Sequence, residues 1–203
     1  MKSLIIATVI LGMSMLQGCA AESGLPGGYV VLIDSSFSDS DVAAIETGMS
    51  EWSSFKDGPS FAYQIVPSFS LPVENKVGWT NIVVRKADAK TIRTINNDPN
   101  SVAVTNVQGE LSIAEFGEGD HSQIGPTIYL QDSAAMTDNE AWNVSIRHEC
   151  GHALGLHHSG PNQVMYPNYD NVSHKVTCDD LQNYCNLRHI SCDCSIDPIY
   201  LEE

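Results

Sequence analysis

His148-Glu149-Cys150-Gly151-His152-Ala153-Leu154-Gly155-Leu156-His157-His158 is the stretch on which the reading of this 203-residue chain turns. Two imidazoles four positions apart stand one above the other on a single helical face, so both can reach one ion. Glu149, beside the first of them, is placed to take a proton from a water held there. Gly155 tolerates the positive φ that ends a helix, and the sharp turn returns His158 to the same ion. His157 competes as third ligand, but the spacing selects His158. Three histidines leave open the fourth position that a catalytic zinc needs. With this chain's own His, Glu and Gly content, the whole pattern arises by chance in roughly a few per 100,000 sequences; a bare H-E-x-x-H is far less specific.

The flanking residues give this helix a start and a second face. Thr137-Asp138-Asn139-Glu140 has the capping-box form, with Thr137 expected as N-cap and Glu140 reaching back. Trp142, Ile146, Cys150 and Ala153 form an apolar stripe. Cys150 lies about 200° around the helix from each flanking histidine, so it faces the core and is assigned no functional role. His121, His174 and His189 have no ligand spacing and are expected on loops or the surface.

Upstream, residues 29–33 read as a buried strand, and Ser38-Asp39-Ser40-Asp41 as a cap. Val42, Ile45, Met49 and Trp52 follow at helical spacing, with the helix expected to reach Phe55 before Gly58-Pro59. Alternation predicts a strand over 61–66. Further strands are expected at 81–85, 101–107, 111–116 and 127–131, with Gln108-Gly109 as the turn between the second and third of these segments. There is no internal repeat. Strand, helix, several strands and a late helix make an α+β or α/β pattern with a mostly one-sheet core.

The stretch from His148 through Ser159 resembles the zinc helix of the metzincins, and among them the matrixins, which Ser159 directly after the third histidine marks. Val164-Met165-Tyr166-Pro167 is similar to the matrixin Met-turn, and Pro167-Asn168-Tyr169 to the segment that walls the S1′ pocket. The resemblance implies an α+β metzincin-like catalytic domain with a twisted, mostly parallel sheet, an active-site helix, a Met-turn and a C-terminal helix starting near Thr177. It places Met165 beneath the metal and Pro167 and Tyr169 along the substrate pocket. It also implies that substrate lies extended along the edge strand. The chain has no Pro-Arg-Cys-Gly latency switch. A calcium ion is weighed as a second cofactor, but no clear motif supports it, Asp120-His121 being a weak remnant at best.

The N-terminus reads as a targeting segment: Lys2 precedes an apolar run over residues 4–16, shorter than the ~20 residues that span a bilayer. Leu16-Gln17-Gly18-Cys19 resembles the bacterial lipobox, which makes Cys19 the lipidated residue. An ordinary secretory signal cleaved near Ala20-Ala21 is the alternative. The expected organisation is a signal peptide over 1–18, a tether over 19–28, the peptidase domain over 29–190 and a disulfide-linked tail over 191–203. Cys178, Cys185, Cys192 and Cys194 crowd the C-terminal end, which in an exported chain indicates two disulfides. A Cys192–Cys194 bridge would be strained, so Cys178 and Cys185 each pair with one of the other two. A four-thiolate zinc site is the competing reading, disfavoured by the C-x-C spacing.

The formal charge of −15, from 10 Lys+Arg against 25 Asp+Glu, argues against a nucleic-acid partner. The function expected is zinc-dependent hydrolysis of peptide bonds within proteins, with Glu149 as general base. The partners are then protein or peptide substrates and, through the lipid anchor, a membrane of the cell envelope or cell surface; a secreted form is the alternative location, and a monomer is expected. Two other readings are an adhesion lipoprotein with a non-catalytic metal site and a hydrolase of peptidoglycan peptides. Retention of Glu149 speaks against the first, since a structural zinc needs no general base.

Overall fold

Alternation along Tyr29, Val31 and Ile33 turns one face of the first strand into the core, and each of the three is less than 5% exposed. The computed structural model describes residues 28–71, 81–96, 102–106, 126–136 and 138–196. In these, β1 (Gly28–Asp34), α1 (Asp39–Ser53) and β2 (Ser60–Val66) open the chain. β3 (Asn81–Lys86), α2 (Ala89–Asn96), β4 (Ala103–Asn106) and β5 (Thr127–Leu130) follow, then α3 (Asn139–Ala153) and α4 (Cys178–Leu187). The strands form one sheet in the order β2-β1-β3-β5-β4. β1 runs parallel to β2 and β3, and β3 to β5, whereas β4 alone is antiparallel, with Thr105 opposite Ile128. This is the expected mixed α and β architecture with a mostly parallel sheet.

α1 and α3 pack together on the apolar face. Gly48 permits the close approach, because a Cβ there would stand 2.8 Å from Ile146 Cγ2. Trp52 and Trp142, both in the core, satisfy their indole N–H groups by donating to the Arg147 carbonyl (3.1 Å) and the Gln131 carbonyl (3.0 Å). Arg147 also pairs with Glu51 across the helix contact. Val42, Ile45, Met49 and Trp52 are all buried, as their spacing predicts, and Ser38 accepts from the Asp41 amide as N-cap. The helix stops at Ser53 rather than Phe55. Phe55 instead makes a β-bridge with Ile196, drawn out of the helix by the C-terminal segment.

Two further differences from the sequence reading have local causes. α2 was not anticipated: it is only eight residues long with Ile92 alone buried on it, and Asp88 starts it by accepting from the Thr91 amide at 2.7 Å. The N-cap of α3 is Asp138, whose Oδ1 accepts from the amides of Glu140 (2.9 Å) and Ala141 (3.2 Å). Aspartate caps as well as threonine does and adds a negative charge at the positive end of the helix dipole. The Glu140 carboxylate meets His174 Nδ1 at 2.6 Å. The expected strand over 111–116, the Gln108-Gly109 turn, Thr137, His121 and Cys19 lie outside the described residues, as do the ends of the strand expected over 101–107.

Two disulfides fasten the C-terminal segment, Cys178–Cys194 and Cys185–Cys192, with Cα–Cα separations of 5.5 and 5.9 Å. Each joins one cysteine of α4 to one of the C-x-C pair, as expected. Segment 191–196 is further tied to the turn after α1: the Lys56 amide donates to the Ser195 carbonyl at 3.1 Å, and Lys56 Nζ meets Asp193 at the same distance. Cys150 is fully buried and unpaired.

Candidate active site

α3 carries His148 and His152 one turn apart, and their rings meet edge to face with centroids 4.7 Å apart. The helix then ends in a Schellman turn: the Gly155 amide donates to the His152 carbonyl and the Leu156 amide to the Gly151 carbonyl, both at 2.9 Å. Gly155 takes φ +96°, a conformation that side chains resist. The turn brings His158 back to the helix, its ring centroid 5.2 Å from that of His148 and 4.9 Å from that of His152. One ring nitrogen from each histidine lies within 4.8 Å of the others.

Backbone carbonyls decide how two of these rings are protonated. His148 Nδ1 lies 2.8 Å from the Val164 carbonyl, and His152 Nδ1 lies 2.8 Å from the Leu156 carbonyl. A carbonyl only accepts, so each Nδ1 carries its proton and each Nε2 presents a lone pair. Burial and the neighbouring His152 and His158 rings lower the His148 pKa to about 4, and burial is also the main cause that lowers those of His152 and His158. The rings are therefore neutral near pH 7, the form that binds metal. The two Nε2 atoms face each other at 3.1 Å. Zn–N bonds of 2.0–2.1 Å in a tetrahedron put neighbouring nitrogens about 3.3–3.4 Å apart, so the pair is already near the spacing zinc requires. Two lone pairs at that distance repel unless a cation lies between them. The residues fit zinc.

Glu149 is buried beside these ligands at 8% exposure. Its Oε2 accepts from Thr105 Oγ1 at 2.7 Å, and the same hydroxyl lies 2.9 Å from the Glu149 carbonyl oxygen. Burial pushes the carboxyl up to about 7, the Thr105 contacts pulling the other way, and a neighbouring cation lowers it further. His148, Glu149, His152 and His158 open into one cleft of about 640 Å³. Pro167 and Tyr169 border it, together with Val144 and Ser145 of α3, Val172, and residues 103–105 of β4.

Met165 is fully buried, its sulfur against Gly151; a Cβ at that glycine would stand 2.1 Å from Sδ. Its carbonyl accepts from the Ser159 amide at 3.0 Å, closing the loop after the third histidine. Asp180, 0% exposed, holds the other side of this turn: Oδ2 accepts from the Val164 amide (3.0 Å), the Thr177 amide (2.9 Å) and the Thr177 hydroxyl (2.7 Å), and Oδ1 from the Met165 amide (3.3 Å). Val164 is thus clamped at its N–H by Asp180 while its C=O orients His148. Sequence reading did not single out Thr105, Asp180 or the clearance at Gly151. The capping box Thr177-x-x-Asp180 could have pointed to Asp180, but Thr105 carries no sequence signal. His174 and His189 are exposed, in keeping with their lack of ligand spacing.

No curated protein matches the chain. A family model described as Matrixin matches residues 85–187, half of the chain, and its span runs from β3 through the three histidines to the end of α4. Taken with the convergent histidine nitrogens, that match places the chain in the matrixin family of zinc metallopeptidases.

Proposed function

We propose that the chain is an endopeptidase that hydrolyses peptide bonds within proteins, with zinc held by His148, His152 and His158 and with Glu149 as general base. The observation that carries this reading is the cleft that Glu149 shares with the three ligand nitrogens, its carboxyl one residue from the first of them. Bound at that site, zinc supplies Lewis acidity toward a water and a scissile carbonyl. Glu149 takes the proton the water loses as its oxygen adds to the carbonyl carbon. It then passes that proton to the departing amine as the C–N bond breaks. The carbonyls of Val164 and Leu156 keep the His148 and His152 rings oriented throughout.

β4 supports an extended substrate. Among the described residues it is the last strand of the sheet, bonded to β5, and it borders the cleft. A peptide laid along its cleft-side edge pairs through main-chain hydrogen bonds, so chain ends are not required and internal bonds are cleaved. The apolar flank formed by Val144, Val172 and the Tyr169 ring favours an apolar residue after the scissile bond. Met165 supports the ligand cluster from below, and Pro167 and Tyr169 wall the substrate pocket.

Cleavage of a quenched peptide library tests this reading, using chain produced under oxidising conditions beside Glu149→Gln. The expected result is activity that a chelator removes and zinc restores, absent from a variant that still binds one zinc. Zinc binding without cleavage in the unaltered chain would refute it.

We further propose export and lipid attachment at Cys19, supported by the apolar run before it. Among the described residues no helix is long and apolar enough to cross a membrane. Mass spectrometry of the N-terminal peptide, with Cys19→Ser as comparison, reads the modification directly; an unmodified Cys19 in membrane-free protein would refute attachment.

A further inference from the structure

We propose that Thr105 is a positioning residue for Glu149, its hydroxyl fixing the carboxyl in the orientation that proton transfer requires. The inference rests on the peptidase reading above and adds to it a residue 44 positions away in sequence. Thr105 sits in β4, where pairing with Ile128 of β5 sets its place; Ile128 is 1% exposed, so that register is anchored in the core.

The hydroxyl reaches two acceptors of one residue, Glu149 Oε2 at 2.7 Å and the Glu149 main-chain oxygen at 2.9 Å. One group therefore ties the side chain of Glu149 to its own helix backbone and to the edge strand. A glutamate has three side-chain torsions, and a carboxyl swung by about 1 Å loses its alignment with a water in the cleft. With Oε2 committed to Thr105, Oε1 is the oxygen left to receive the proton. The link also connects substrate to base. In the proposed binding mode the peptide pairs with β4, and a braced β4 holds Thr105, which holds Glu149.

A contact that merely fastened β4 to α3 would alter stability without selectively lowering turnover. Thr105→Val keeps the shape and removes the hydroxyl, while Thr105→Ser restores the hydroxyl without the methyl. Zinc content, kcat and KM are measured for each. The expected result is one zinc per chain in all three proteins, a kcat lowered about 10–100-fold in Thr105→Val with KM within about twofold, and recovery of most of that loss in Thr105→Ser.

The second readout needs neither metal nor activity. In zinc-free protein the unfolding constants of Thr105→Val, Glu149→Ala and the double variant form a cycle. The expected double effect differs from the product of the singles by about threefold or more. An active wild type whose kcat is unchanged in Thr105→Val overturns the proposal, as does equal loss in the Ser and Val variants. A cycle that multiplies within error overturns it too. A wild type that cleaves nothing overturns the peptidase reading, and with it the positioning role, while the cycle still reports separately whether the two side chains are joined.

Discussion

Replacing Gly151 with alanine should damage the metal site without touching a ligand. On an ordinary helix the change stabilises by about 0.8–1.0 kcal/mol, because glycine has more backbone freedom to lose. Here the new Cβ would lie 2.1 Å from Met165 Sδ, 3.1 Å from Met165 Cε and 3.0 Å from Trp52 Cζ2. Both neighbours are fully buried, so neither can move into solvent. Sulfur and carbon touch comfortably nearer 4 Å, so Met165 must retreat by well over 1 Å; overpacking of this kind costs about 1–3 kcal/mol, and more when the backbone follows.

Against the helix gain, the expected net loss is up to about 2 kcal/mol, or a fall of up to roughly 8 °C in Tm. The displacement passes to Val164, whose carbonyl holds His148 Nδ1, so zinc affinity should fall about 10–100-fold. Urea unfolding of the zinc-free chain and competition with a chromophoric chelator measure the two effects. Combining Gly151→Ala with Met165→Ala should cost less than the sum of the singles, since the second change makes room for the first. A Gly151→Ala chain that is more stable by about 1 kcal/mol and binds zinc as tightly as before would refute this account of the packing.

Other outcomes follow from the same contacts. Asp180→Asn removes a buried carboxylate that accepts four hydrogen bonds, and should cost about 2–4 kcal/mol and weaken zinc binding; unchanged stability would show that the turn at Val164 and Met165 does not depend on it. The disulfides close segments whose cysteines lie 16 and 7 positions apart, so reduction should lower stability by about 3–5 kcal/mol as the denatured chain regains freedom. A loss below about 1 kcal/mol by urea unfolding would contradict this. Zinc affinity should fall less between pH 8 and 6.5 than three ordinary imidazoles would allow, and further at lower pH, because protons compete for imidazoles whose pKa values are lowered, that of His148 to about 4. Three ordinary imidazoles would already lose about eightfold at pH 6.5, and such a loss in a titration series would refute the lowered values.

Much of the site could be read from letters close together in the chain. The i, i+4 interval of His148 and His152 is helix geometry, and the return of His158 depends on Gly155, whose φ is +96°; both are short-range facts that residue types and spacing carry. The buried face of α1 and the exclusion of a Cys192–Cys194 bridge were legible for similar reasons, through helical periodicity and the strain of such a bridge, whereas the choice of Cys178–Cys194 with Cys185–Cys192 was left to the fold. Tertiary structure alone decided the rest. The N-cap of α3 went to Asp138 in competition between two adjacent capable residues. Thr105 meets Glu149, Asp180 meets Val164, and Gly151 clears Met165 across separations of 44, 16 and 14 positions. Local spacing specifies which groups can share one ion. Which distant side chains orient them depends on strand order and on the packing of α3 and α4, and short-range patterns along a chain do not encode contacts that only the folded arrangement creates.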